Sequence, residues 1–252
     1  KNYYSYQLPA AYSVFVGNDM GLAWKYIQLI MSFLVIFPYS MSFYDDYLLG
    51  SNIYYQTRKS RKQYYLSQML TCFIGGMIII CIPFLLNILI NTIIFPAEGN
   101  DYITTLNRYF SGWSSSVTGS NVIFKTISKG IVLKNLYINF PQIYNVMITI
   151  LASIIAGIMS VATYCFSLII RKNRIFIFLF SFIFFQLFAM IDSVLYDRWS
   201  ESDVYVCTNI TSYMSVTQGQ IGKCFMGLGV LLILLVLIEI KIVVWRISKD
   251  EL

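Results

Sequence analysis

Histidine is missing from this chain altogether. Without an imidazole there is no Ser-His-Asp triad, no His-ligated metal centre and no histidine proton relay. Charge is scarce as well. Acidic and basic residues make up 12% of the sequence, where a soluble domain carries about 25%. A chain so poor in charge does not make an ordinary solvated surface, and at 58% hydrophobic it is not disordered either. The five cysteines show no paired metal-ligand spacing. No phosphate-binding loop occurs: GQIGKC, Gly219 to Cys224, is the nearest approach, and its glycine-to-lysine spacing is too short. The opening KNYYSYQLPAAYSVFVGND lacks the basic, apolar, small-residue order of a secretory signal.

What the chain does have is long apolar runs. A bilayer core is crossed by roughly 20 apolar residues of helix, and five runs meet that length, at about 22–43, 69–95, 145–170, 175–196 and 224–246. The expected fold is therefore all-α, a polytopic transmembrane helix bundle forming one transmembrane domain over 1–252. Pro38 and Pro83 fall inside runs and are expected to kink them, as membrane helices tolerate.

Sidedness follows from the Lys and Arg residues. Arg58, Lys59, Arg61 and Lys62 lie between the first two runs, Arg171, Lys172 and Arg174 between the third and fourth, and Lys241, Arg246 and Lys249 at the end. These are ten of the eighteen basic residues. The positive-inside rule places 44–68, 171–174 and the C-terminus in the cytoplasm, with 1–21, 96–144 and 197–223 outside. With an outside start and an inside end, a sixth span is expected upstream of Lys1 if the true N-terminus is cytoplasmic. The terminal KDEL, Lys249 to Leu252, then lies in the cytoplasm, where a lumenal retention receptor does not reach it. It reads as a charged helix tail.

The densest charge sits between two apolar runs, in FYDDYLLGSNIYYQTRKSRKQYYLSQ, Phe43 to Gln68. Taken as helical, 44–68 places Tyr54, Arg58, Arg61 and Tyr65 along one face, with Tyr55, Lys59 and Lys62 beside it. Asp45 and Asp46 mark the membrane exit, and Gly50 permits a turn or a close approach. The plainer reading is an orientation signal with tyrosines at the headgroup level. The order of acidic exit, glycine and basic-aromatic segment nevertheless resembles the first intracellular loop of the permease subunits of type-2 ABC exporters, the small six-span kind of Gram-positive bacteria. The order of spans, a tight basic turn between the fourth and fifth spans of such a permease, and the cytoplasmic C-terminus resemble that family over nearly the whole chain.

The resemblance implies that Asp45, Asp46, Gly50, Tyr54, Arg58, Arg61 and Tyr64 couple the chain to a separate ATP-binding subunit, which would hold ATP and Mg. It also implies a second permease, identical or homologous, in a bacterial plasma membrane. This chain would itself be no enzyme and hold no cofactor. Its many Phe, Ile and Met residues point to a hydrophobic or amphipathic cargo, such as an antimicrobial peptide (bacteriocin or lantibiotic) or a lipid-linked molecule. The alternative is an ATP-independent channel or secondary transporter, against which stand the few ionisable residues in the spans.

Polar residues within spans are the other candidates. Asn87 and Asn91 share a face, and Gln186 and Asp192 lie in the 175–196 run; each can serve a pathway or a bond between helices. Gly75, Gly76, Ala152, Ala156, Gly157 and Ser160 suit close helix packing. Glu239 and Lys241 are expected to snorkel or pair at the cytoplasmic end of the last run. Cys72, Cys81 and Cys165 read as core residues, while Cys207 and Cys224, in or beside one outer loop, are a candidate disulfide or two unrelated thiols. Phe124, Ile127 and Ile131 share one face of an expected interfacial helix.

Overall fold

An uninterrupted apolar run in a lipid-like surrounding satisfies its backbone only as helix, and helix is what these runs form. The computed structural model describes residues 11, 12, 15, 30, 33–37, 42–50, 60–96, 136, 139–170, 173–199 and 221–249. Five helices are delimited among them: α1 (Ser42–Leu48), α2 (Arg61–Ile94), α3 (Pro141–Ile169), α4 (Arg174–Trp199) and α5 (Ile221–Lys249). Four of them coincide with four of the expected runs. Of the 22–43 run only 30, 33–37 and 42–43 are described, with 33–36 helical; Pro38 and the expected interfacial helix lie outside the described residues.

The helix ends follow local chemistry. Ser60 caps α2, its hydroxyl accepting from the Gln63 amide at 3.4 Å. At the other end the Phe95 amide closes onto Asn91, and Pro96 follows. Pro141 begins α3, where its missing N–H costs no helical bond. Pro83 stands inside α2, which continues through it to Ile94.

The long central helix α3 is packed upon by α1, α2, α4 and α5. Most of its residues from Ala152 to Leu168 are buried. On α2 the buried positions Cys72, Gly76, Ile80 and Phe84 recur every four residues and face α3. The contact is close because the side chains at it are small. A Cβ added to Gly76 would lie 2.7 Å from Ser160 Cβ and 2.9 Å from the Ala156 carbonyl oxygen. One added to Gly157 would lie 2.9 Å from the Phe73 carbonyl oxygen.

Five hydroxyl side chains inside this packing are satisfied within their own helices, whereas the buried Ser160 hydroxyl has no partner among the described residues. Thr149, Ser153, Thr163 and Ser167 on α3 donate to the carbonyls of Asn145, Thr149, Met159 and Tyr164. Ser181 on α4 does the same to Ile177. Such back-bonding lets small hydroxyl residues enter an apolar contact without an unmet donor.

The outward faces are apolar too. Leu70, Ile74, Ile78, Ile82, Leu86, Leu89 and Ile93 of α2 are all exposed. A water-facing helix would put polar groups there. Among the described residues, α2 and α3 are long and apolar enough to cross a membrane. With a rise of about 1.5 Å per residue, α2 spans about 50 Å, against a hydrocarbon core of about 30 Å. Its first turns therefore have length to spare beyond the core.

Candidate functional site

The N-terminal end of α2 meets α1, and here the charged stretch takes its shape. The 44–68 segment is not one continuous helix. α1 ends at Leu48, and Gly50 adopts φ +67°, the left-handed region that glycine enters without a Cβ penalty. No heavy atom lies within 4 Å of a Cβ built on Gly50, so the glycine serves a turn and not a close approach. Ser60, whose ψ of 140° is non-helical, immediately precedes the helix that begins at Arg61. The face expected to run from Tyr54 through Arg58 and Arg61 to Tyr65 is thereby interrupted. Tyr54 and Arg58 themselves lie outside the described residues.

What joins the two helices is a chain of side-chain hydrogen bonds. Tyr64 Oη donates to Asp46 Oδ2 at 2.7 Å, and Gln68 Nε2 donates to the same oxygen at 3.3 Å. Ser42 Oγ in turn donates to Gln68 Oε1 at 2.7 Å. One amide thus links the first and fifth residues of α1, and one carboxylate oxygen receives two donors from α2. Hydrogen bonds to a charged acceptor are the strong kind.

Beneath this junction lies a buried cluster. Tyr64 and Tyr65 pack with Cys72, with Val161, Tyr164, Cys165 and Leu168 of α3, and with Val243 and Ile247 of α5. Tyr64 and Tyr65 meet edge to face at 5.5 Å. These tyrosines are interior, not displayed at a headgroup level. Arg61 and Lys62, one turn earlier, are exposed. The end of α2 thus carries basic side chains outward and aromatic ones inward, with Asp46 fixed between.

Asp46 and Tyr64 are the sequence-derived candidates brought together here. Asp45 is half-buried in α1 and Gly50 forms the turn. Ser42 and Gln68 complete the joint, yet nothing in the sequence distinguishes them from other polar residues near a span end.

The remaining candidates lie elsewhere. Asn91 Nδ2 donates to Asn87 Oδ1 at 3.2 Å within α2, so the pair shares a face as its spacing requires. Gln186 is half-buried on α4; the side chains of Asp192 and Cys224, and all of Cys207, lie outside the described residues. Cys72 and Cys165 are buried and Cys81 is half-buried. Glu239 departs from expectation: it neither snorkels nor pairs, being 3% exposed with Oε1 lacking a hydrogen-bond partner among the described residues. Lys241 is exposed. Among the described residues no group of three His, Cys, Asp or Glu gathers to hold a metal.

No protein-family model, no characterised protein and no solved structure matches this chain.

Proposed function

We propose that the chain is the membrane-spanning permease subunit of an ATP-driven ABC exporter, working in a bacterial plasma membrane as a multi-pass helix bundle. The cargo would be hydrophobic or amphipathic, an antimicrobial peptide or a lipid-linked molecule. ATP and Mg would be bound by a separate cassette subunit, and a second permease, identical or homologous, would complete the pathway.

The observation that carries this reading is the tie between Asp46 of α1 and Tyr64 and Gln68 of α2. A partner subunit can only drive transport if its conformational energy reaches the spans. For that, the segment it grips must be joined stiffly to them. The gripped segment would be 51–60 with Arg61 and Lys62, entered through the Gly50 turn and left through the Ser60 cap. The described residues on either side of it are tied down, Asp46 of α1 by Tyr64 and Gln68 and Ser60 as the cap of the 34-residue α2. The apolar outward face of α2 supports the membrane setting.

The test is affinity purification of the full-length protein in mild detergent, with and without Arg58→Glu and Arg61→Glu. A nucleotide-binding subunit that co-purifies with the wild type and is lost from the double variant supports the reading. If no nucleotide-binding protein accompanies the wild type, and flux in vesicles follows a proton or sodium gradient without nucleotide, the chain is a channel or secondary transporter instead.

A further inference from the structure

The last helix carries a carboxyl group in an unusual position. Glu239 is 3% exposed, and its Oε1 has no hydrogen-bond partner among the described residues. It lies on the face of α5 that packs on α3, where Cys165 Sγ donates to the Glu239 backbone oxygen at 3.7 Å. One turn further on, Val243 sits among Val161, Cys165 and Leu168. The cluster along this seam is made of thiol, tyrosine and hydrocarbon side chains, without a carboxylate or a basic group among its members.

Among the described residues no charge answers it from the elements packed against this face. α3 presents Cys165 and Tyr164, and α2 presents Cys72, Tyr64 and Tyr65. On α4 the continuous stretch of described side chains, 175–187, has no ionisable one. On α5 itself Lys241 is exposed, and Arg246 is buried seven residues on, about 10 Å along the axis. An isolated carboxylate in such a place is far costlier than a neutral carboxyl.

We infer that Glu239 is a proton-binding site in the seam between α3 and α5, carrying its proton while α5 is seated and releasing it when the seam opens to water. The exchange is the simple one of a carboxyl to a carboxylate and a proton delivered to solvent. A metal cation fits the position poorly, because hard cations demand several oxygen ligands. Glu239's own carbonyl is already engaged, the Tyr64 and Tyr164 hydroxyls are directed to Asp46 and to the Tyr65 carbonyl, and the rest of the cluster offers thiols and hydrocarbon. A proton needs no coordination shell. The consequence is that opening of this seam, and whatever conformational change uses it, becomes pH-dependent. Ionisable groups within membrane segments mark proton relays or pathways for this reason. The inference rests on the membrane setting of α5 and not on the nucleotide-binding partner.

The test uses the full-length protein in lipid nanodiscs, with Glu239→Gln as an isosteric stand-in for the protonated state. The infrared carbonyl stretch of a protonated carboxyl is recorded near neutral pH. The expected result is a band in the wild type that the variant lacks, with the variant folded and at least as heat-stable. In parallel, with the other cysteines replaced, alkylation of Cys165 is followed from roughly pH 6 to 9, through the thiol range. Wild-type labelling should climb several-fold more than that of Glu239→Gln, which retains only the thiol's own ionisation. An identical band in both proteins, parallel labelling profiles, or failure of the Gln variant to fold would each overturn the inference. So would a band that responds to sodium or potassium at fixed pH, which would make the site a cation site. Neither readout involves nucleotide, so these results stand apart from the permease assignment.

Discussion

Tyr64 and Asp46 are joined by a 2.7 Å hydrogen bond across eighteen residues of chain, the phenol donating to the carboxylate. Because Tyr64 is also packed into the α2–α3–α5 cluster, this bond fixes α1 to the helix bundle and not merely to a neighbouring side chain. Removing the hydroxyl keeps the ring and its packing. Tyr64→Phe should therefore lower stability by about 1.5–3 kcal/mol, the range for a bond to a charged group. Gln68 still donates to Asp46, which favours the lower end. Thermal unfolding of the detergent-purified protein measures it; an unchanged midpoint would mean the bond does not hold α1.

Gly50 tests the other end of the same joint. With φ at +67°, any L-residue with a Cβ meets a left-handed penalty of about 1–2 kcal/mol. The surroundings are open, so sterics beyond the backbone add nothing. Gly50→Ala should thus destabilise by about 1 kcal/mol and Gly50→Asn by less, since Asn enters this region more readily. Equal effects of the two substitutions, read by the same unfolding assay, would show that the turn is not what the glycine supplies.

A larger effect belongs to Gly76. Its added Cβ would meet Ser160 Cβ at 2.7 Å, the Ala156 carbonyl oxygen at 2.9 Å and Gly157 Cα at 3.1 Å. Two of these three are backbone atoms of α3 and cannot swing aside, so the helices must separate. Gly76→Ala should cost about 1–3 kcal/mol, as overpacking does. Gly229→Ala is the matched control: it also lies in a helix, but nothing stands within 4 Å of its Cβ position. There alanine should stabilise by about 0.5–1 kcal/mol through helix propensity alone. Effects of the same sign at both sites would discard the close-crossing account.

Four long helices were legible as apolar runs, because a run of that length and composition has one way to satisfy its backbone. The shared face of Asn87 and Asn91 and the small-residue contact at Gly76 were legible from spacing, and the burial of Cys72 from its place in an apolar run; the asparagines, read as serving a pathway or a bond between helices, bond to each other within α2. The charged stretch was not, for a reason visible in its residues. Helical periodicity can be drawn through Tyr54, Arg58, Arg61 and Tyr65, but the serine cap at Ser60 divides it, and the left-handed Gly50 cuts it off from α1. Asp46 could be singled out as an acid at a membrane exit, whereas its donors Tyr64 and Gln68 are set by how α1 folds back, a tertiary fact. Glu239 was misjudged because snorkelling is the usual resort of a charge near a span end. Which face of α5 meets α3 decides the matter, and no pattern within α5 states it.

Asn145 supports a last prediction at the other end of α3. Its Nδ2 donates to the Tyr12 carbonyl at 3.0 Å, tying together residues 133 apart, while its Oδ1 has no partner among the described residues. The two atoms pull in opposite directions. The donor holds the segment at 11–12 against α2 and α3, and the orphaned acceptor carries a desolvation penalty of about 1–3 kcal/mol. Asn145→Ala relieves the orphaned Oδ1 but takes the donor from the Tyr12 carbonyl, so the two effects offset and its net loss should be small, about 1 kcal/mol. Asn145→Asp keeps the shape but loses the donor and adds a second acceptor at a site that is 2% exposed. An uncompensated buried charge costs about 3–5 kcal/mol, so the near-isosteric change should be the more damaging of the two. Unfolding midpoints rank them, and limited proteolysis near Tyr12 reports whether the segment is released. If Ala proves worse than Asp, packing and not hydrogen bonding secures this end.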